Sequence, residues 1–167
     1  IAKSAEKEKK RFAGNEIKGK RLGIIGLGAI GVLVANAAQT LGMQVYGFDP
    51  FLSVDAAWNL SSDIVKAASV DEIFEKCDYI TIHVPLNDST RGLIGADALK
   101  KVKKGVRVLN FSRGALVDTD AMLAALADGT VAAYATDFQD DALLGVENVI
   151  AIPHLGASTP ESEDNCA

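Results

Sequence analysis

Aromatic side chains are scarce in this chain: they make up 6% of 167 residues, with a single tryptophan. Its core must therefore come from small and branched aliphatic groups, which suits helices packed on buried parallel strands. Hydrophobic residues are still plentiful at 49%, enough for one domain with a real core, and the length argues against two. Cysteine is nearly absent. Cys77 and Cys166 lie far apart with no metal-ligand spacing, so neither a disulfide scaffold nor a metal site has support, and both read as idle thiols. No basic stripe appears beyond the first turns, and 17 basic against 22 acidic residues give a net charge of −5. Nucleic-acid binding thus has no compositional basis. No signal peptide precedes the chain and no apolar run approaches membrane-spanning length, so a soluble cytoplasmic setting without a membrane partner is expected. The chain does not begin with Met and stops at Asn165-Cys166-Ala167, in what reads as a helix just begun. Both ends suggest a fragment.

What is present is an alternation. Residues 1–12 are Lys/Glu-rich helix formers. A short apolar strand, Arg21 to Ile25, runs into Gly26-Leu27-Gly28-Ala29-Ile30-Gly31, and a helix with few charges follows to Leu41, stopped by Gly42. A second strand, Gln44 to Phe48, ends at Asp49-Pro50, and the pattern then weakens. Ser69-Val70-Asp71-Glu72 has the form of a capping box opening a helix to Lys76. Strands are expected at Tyr79–Ile82, Val106–Asn110, Ala132–Thr136 and Val149–Ile152, with helices near 97–102 and 119–127. Ser158-Thr159-Pro160-Glu161 reads as another helix start. Such alternation predicts an α/β fold, a doubly wound parallel sheet of Rossmann type in a single domain. Asp49, His83, Arg113, Asp137 and His154 all fall just beyond the C-terminal ends of these strands, where open α/β sheets bind ligands.

The Gly-x-Gly-x-x-Gly run has a strand before it, a helix after it and an acid closing the next strand, the context that gives it a mechanism. Gly26 permits the tight turn, Gly28 the approach of a pyrophosphate to the backbone, and Gly31 close helix–strand packing. The helix start at Ala29 and Ile30 offers unpaired N–H groups to phosphate. Asp49 stands where a carboxylate accepts ribose hydroxyls and repels a 2′-phosphate, so the expected cofactor is NAD rather than NADP. The competing reading is that these glycines serve only turns and packing, as in flavodoxin-like or methyltransferase-like sheets.

Beyond the glycine run, His83-Val84-Pro85-Leu86 with Thr90 and Leu93-Ile94, then Asn110-Phe111-Ser112-Arg113-Gly114 through Val117-Asp118, then Pro153-His154-Leu155-Gly156-Ala157-Ser158-Thr159, occur in that order. Together they resemble the D-2-hydroxyacid dehydrogenases over nearly the whole chain, and the last stretch resembles the phosphoglycerate dehydrogenase branch. The resemblance implies a two-domain enzyme. Residues 1–14 would be the helix entering from a substrate domain, 15–155 the NAD-binding domain, and 156–167 the start of the helix returning. It also implies hydride transfer between NAD and a small-molecule D-2-hydroxy acid, 3-phosphoglycerate on the route to serine, with the fragment alone inactive. Homodimerisation through the cofactor domain follows the family pattern.

By the same resemblance, Arg113 holds the substrate carboxylate and polarises the reacting carbonyl, a task suited to a planar, permanent cation. The bland reading is a surface arginine capping the next turn. His154 resembles the family's general acid/base, and imidazole suits that work near neutrality; without the resemblance a structural histidine fits as well. His83 is read as structural, within a loop whose Val84 and Pro85 lie against the nucleotide and whose Ser89 reaches it through polar contacts. Phe111, Ser112 and Gly156 belong to the same cofactor shell. Asp137 is implied to bind the nicotinamide carboxamide, the alternative being a turn or cap aspartate.

The chain departs from the family at Thr136-Asp137-Phe138-Gln139-Asp140-Asp141-Ala142-Leu143. The family has there a Glu that hydrogen-bonds the catalytic histidine, followed by Pro. A gapless count puts Ala142 in the Glu position; a loop one residue shorter brings Asp141 to the role, with Asp140 second. Two rivals to the phosphoglycerate reading stand: another 2-keto acid reductase, and a non-catalytic, NAD-responsive binding module such as the C-terminal-binding corepressors.

Overall fold

The computed structural model describes residues 13–138 and 140–162. Seven parallel strands form one sheet in the order β3-β2-β1-β4-β5-β6-β7. They are β1 (Arg21–Ile25), β2 (Gln44–Phe48), β3 (Val65–Lys66), β4 (Tyr79–Ile82), β5 (Val106–Asn110), β6 (Val131–Thr136) and β7 (Val149–Ala151). The helices are α1 (Ala29–Thr40), α2 (Val54–Asn59), α3 (Val70–Lys76), α4 (Ala96–Leu99) and α5 (Thr119–Ala127). This is the expected doubly wound sheet. The chain builds outward from β1 to β3, then returns to β4 on the other side, so the order reverses between β1 and β4. At such a reversal two loops diverge and leave a crevice.

Alternation along β1 divides the core. Leu22 and Ile24 face Val32, Ala35 and Ala38 of α1, together with Met43 and Val45. Ile25 joins a larger cluster with Ile73 and Phe74 of α3, Ile80, Ile82, Val108 and Met122. Gly23 lies on this second side because any Cβ there would collide with the side chains of Ile73 and Cys77. Burial pushes the Cys77 thiol up to about 12, so it stays an inert thiol in apolar surroundings.

The region of weak pattern after Pro50 proves to hold α2 and β3. Ser53 caps α2 by accepting from the Ala56 N–H at 3.1 Å, yet the helix buries none of its residues. β3 has two residues, both exposed. Neither element has an apolar period to announce it. The box at α3 forms with one change: Ser69 accepts from Glu72 N at 3.2 Å, but Glu72 reaches back to the N–H of Ala68 rather than of Ser69. The helix expected near 97–102 is shorter, ending at Leu99. Helical backbone begins at Pro160, where Thr159 Oγ1 accepts from Ser162 N at 3.2 Å. The leading helix over residues 1–12 and the continuation over 163–167 lie outside the described residues. Among the described residues, no helix is long and apolar enough to cross a membrane.

Candidate active site

The site is built along the C-terminal edge of the sheet, beginning at the turn after β1. Gly26 has φ +97°, a left-handed conformation that favours glycine. A Cβ there would sit 2.6 Å from the carbonyl oxygen of His83, so the β1 turn and the β4 loop are in backbone contact. Gly31 is as constrained: its Cβ would overlap the carbonyl oxygen of Gly26. The tight packing expected of Gly31 is therefore against the turn itself. Gly28 differs from both, since a Cβ there would meet open space. It is the position before α1, whose first-turn N–H groups lack partners within the helix.

Asp49 follows β2 and turns back over this loop. Its Oδ2 accepts from the Leu27 N–H and its Oδ1 from the Phe51 N–H, both at 2.8 Å. Each oxygen keeps a lone pair for a further donor. A depression beside it is lined by Leu27, Asp49, Pro50, Leu52, Leu60 and Ala67 among others, an apolar slot with a carboxylate at its rim.

A second depression joins Gly28, Ala29 and Ile30 to His83, Phe111, Ser112 and Arg113. The β5 loop here is fixed from beneath. Asn110 is fully buried, donates to the Arg113 carbonyl at 2.9 Å and accepts from Ser112 N at 3.2 Å. Ser112 Oγ donates to the Val84 carbonyl at 3.2 Å, tying this loop to the β4 loop. Arg113 is exposed, with Nη1 donating to the Ser112 carbonyl at 2.6 Å. Asn110 is a site-building residue absent from the sequence-based candidates. Its signal was an amide ending a strand two residues before a serine in a tight loop.

The third depression shares Ile30, Phe111 and Arg113 with the second and adds Asp137, Pro153, His154 and Gly156. The structure thus brings Arg113, Asp137 and His154 to one place from the ends of β5, β6 and β7. His154 Nδ1 lies 2.9 Å from Asp137 Oδ2, and the imidazole sits 5.0 Å from the Phe138 ring. Asp137 is buried, and its Oδ1 finds no hydrogen-bond partner among the described residues.

The acid expected to hold His154 is not the one in contact with it. Asp141 is exposed in the first turn of a 3-10 segment, Asp141–Leu143. Asp140 caps that segment, accepting from Ala142 N at 3.0 Å, and its other oxygen accepts from Thr119 Oγ1 at 2.9 Å. The reason is local: an aspartate preceding a tight turn satisfies the turn's N–H groups first. Ser89 is likewise engaged elsewhere, with its N–H at 2.9 Å and its hydroxyl at 2.7 Å from Asn87 Oδ1 in an exposed turn. His83, read from the sequence as structural, is half-buried and lines the second depression. Its Nε2 is 3.0 Å from Thr81 Oγ1, and burial holds its pKa below the ordinary 6.5. Val84 packs at the Gly26 turn, and Pro85 gives its carbonyl to Thr90 Oγ1 at 2.7 Å.

These features fit a dinucleotide. The open face at Gly28 and α1 suits a pyrophosphate, the Asp49 rim suits a ribose, and at the far end a buried carboxylate oxygen without a partner among the described residues suits an amide N–H. The fold and its edge define a Rossmann-type dinucleotide-binding domain. Residues 2–156 match the family described as D-isomer specific 2-hydroxyacid dehydrogenase, NAD binding domain, and the chain belongs to that family. Its cofactor is NAD.

Over 170 aligned residues the chain is 44% identical to the D-3-phosphoglycerate dehydrogenase of Homo sapiens, covering 98% of this chain and 31% of that protein. Against the enzyme of that name from Bacillus subtilis it is 43% identical over 171 residues, 99% of this chain and 32% of the other. A solved D-lactate dehydrogenase from Treponema pallidum superposes with a TM-score of 0.82 at 28% identity, over 98% of this chain and 56% of that one. The NAD complex of a D-isomer specific 2-hydroxyacid dehydrogenase from Lactobacillus delbrueckii ssp. bulgaricus gives 0.79 at 28%, over 91% and 51%. The chain spans about a third of the length of the curated relatives it matches.

Proposed function

We propose that this chain is the cofactor-binding part of an NAD-dependent dehydrogenase acting on a D-2-hydroxy acid, and that the acid is 3-phosphoglycerate, oxidised to 3-phosphohydroxypyruvate for serine synthesis. One observation carries the reading: Arg113 and His154 converge on a single depression that adjoins the nucleotide turn. When bound, NAD supplies the hydride acceptor. Arg113 offers a planar cation to the substrate carboxylate and the reacting oxygen. His154 takes the hydroxyl proton at a ring nitrogen during oxidation and returns it in the reverse direction. Phe111, Pro153 and Leu155 line the depression with apolar surface.

The choice of 3-phosphoglycerate rests on the relatives that carry that activity in their names, which are well above the solved lactate dehydrogenases in identity. A substrate domain flanking residues 15–155, entered through residues 1–14 and rejoined through 156–167, completes the reading. A cytoplasmic setting and a homodimer through the cofactor domain go with it. Exposed Leu33, Val54 and Trp58 give that domain apolar surface outside the cleft. The test is turnover by the full-length protein with NAD and 3-phosphoglycerate, D-lactate or D-glycerate in turn. The expected result is the highest kcat/KM with 3-phosphoglycerate. Preference for D-lactate would replace the substrate, and no turnover of any 2-hydroxy acid by a protein that binds NADH would favour a binding module.

A further inference from the structure

We infer that Asp137 is the residue that positions His154 in this protein, in place of an acid further along the β6 loop. The catalytic meaning of this assignment rests on the function proposed above; the pairing itself does not.

Three observations carry it. Asp137 Oδ2 is 2.9 Å from His154 Nδ1, and only 9% of the aspartate side chain is exposed against 56% of the imidazole. The carboxylate is therefore the fixed member of the pair, held at the end of β6, and the imidazole is the member being held. Second, the other described acids of the loop are accounted for: Asp140 spends both oxygens on Thr119 and Ala142, and Asp141 sits exposed in the first turn of the 3-10 segment and does not line the depression. Third, Phe138, the residue after Asp137, packs at 5.0 Å from the imidazole with the rings tilted by 48°, so one short stretch supplies both the hydrogen-bond acceptor and the ring against which the imidazole rests.

A carboxylate accepting from Nδ1 keeps the neutral imidazole in the Nδ1–H tautomer. Nε2 is then the ring nitrogen with a free lone pair, available to the depression that also holds Arg113. Asp137 does this with one oxygen only, since its buried Oδ1 has no partner among the described residues. Losing this carboxylate should impair the base without dismantling the nucleotide turn.

The chain has two histidines, which makes the test direct. Nitrogen-15 NMR of the full 167-residue chain reads the tautomer of each ring, and His83, half-buried and paired with Thr81, reports that the fold is intact. His154 is expected as the Nδ1–H tautomer in the parent chain. Asp137→Asn should abolish that preference while the His83 signals stay in place, and Asp141→Asn should change neither. The inference is overturned if His154 keeps its tautomer in Asp137→Asn, or loses it in Asp141→Asn. Should Asp137→Asn fail to fold, Asp141→Asn decides alone: an unaltered His154 supports the assignment and an altered one sinks it. In the full-length enzyme Asp137→Asn should lower kcat by up to about 10,000-fold, the loss that follows when a base histidine is left in the wrong tautomer, with Asp137→Glu recovering part of it. An inactive full-length parent would remove the proposed function yet leave the NMR result standing.

Discussion

The nucleotide turn and the acid/base corner lie along the same sheet edge but are made differently. At the turn, backbone carries the chemistry. Gly26 N donates to the Phe48 carbonyl at 2.9 Å, Asp49 is held by two backbone N–H groups, one on each oxygen, and two glycines are pressed against carbonyl oxygens. At the corner, side chains carry it: an exposed imidazole, an exposed guanidinium and a buried carboxylate with one oxygen unpaired among the described residues. Where a backbone site is packed on itself, it cannot be altered without altering the fold. A site made of side chains can lose its function and keep its stability.

That difference can be broken or sharpened by substitution. The largest effect is expected from Gly31→Ala, because the new methyl meets the Gly26 carbonyl rather than a flexible side chain. The cost should be about 3 kcal/mol, the upper part of the usual range for overpacking, seen as a lower midpoint in denaturant and loss of NADH binding together. Asp49→Ala comes next. It removes the acceptor of the Leu27 and Phe51 N–H groups, a loss of about 2 kcal/mol for hydrogen bonds to a charged group. Calorimetry should show the preference for NADH over NADPH shrinking as well; an unchanged preference would mean that Asp49 does not discriminate.

A smaller effect is expected with pH. Burial holds His83 below 6.5 in the fold, so between its folded and unfolded values the unfolded chain binds more protons. Stability is therefore fully present above about pH 6.5 and declines as pH falls below it. Thermal midpoints taken from pH 7.5 to 5 should fall, and His83→Gln should flatten the decline; an equally steep decline in the variant would assign it to other groups. Gly28→Ala should have the smallest effect on stability. Its Cβ enters open space at an ordinary φ of −74°, and the gain from a stiffer unfolded chain offsets the poorer cap, leaving a change within about 0.5 kcal/mol. NADH affinity should nevertheless drop. Gly31→Ala and Gly28→Ala together would show fold and binding coupled at one glycine and separated at its neighbour.

The same contrast governs what the sequence disclosed. The turn was legible because a conformational demand leaves a residue type behind: Gly26 and Gly31 must lack a side chain, and Asp49 must close β2. The parallel sheet was legible from aliphatic strands ending in polar residues. α2 and β3 were not, because an element that buries nothing needs no apolar period. The β6 loop was misread for a different reason. Asp137, Asp140 and Asp141 are the same residue type within five positions, and spacing alone does not tell which carboxylate serves a turn and which faces a histidine. Only the path of the chain between β6 and β7 separates them. Asn110 shows the converse, a visible residue whose importance became apparent once its two bonds across the Arg113 loop were seen.

The interior place of β1, paired on both sides, has a consequence for how the protein is made. The strand pairs on one side with β2, from Arg21 against Gln44, and on the other with β4, from Leu22 against Tyr79. A chain leaving the ribosome from its N-terminus thus exposes one bare edge of this interior strand until β4 has emerged, and long-range parallel pairing of this kind is slow and prone to aggregation. The glycine turn inherits the delay, because Gly26 is shaped against the carbonyl of His83. A nascent chain halted before β4 would carry the whole glycine motif and have no cradle for a phosphate.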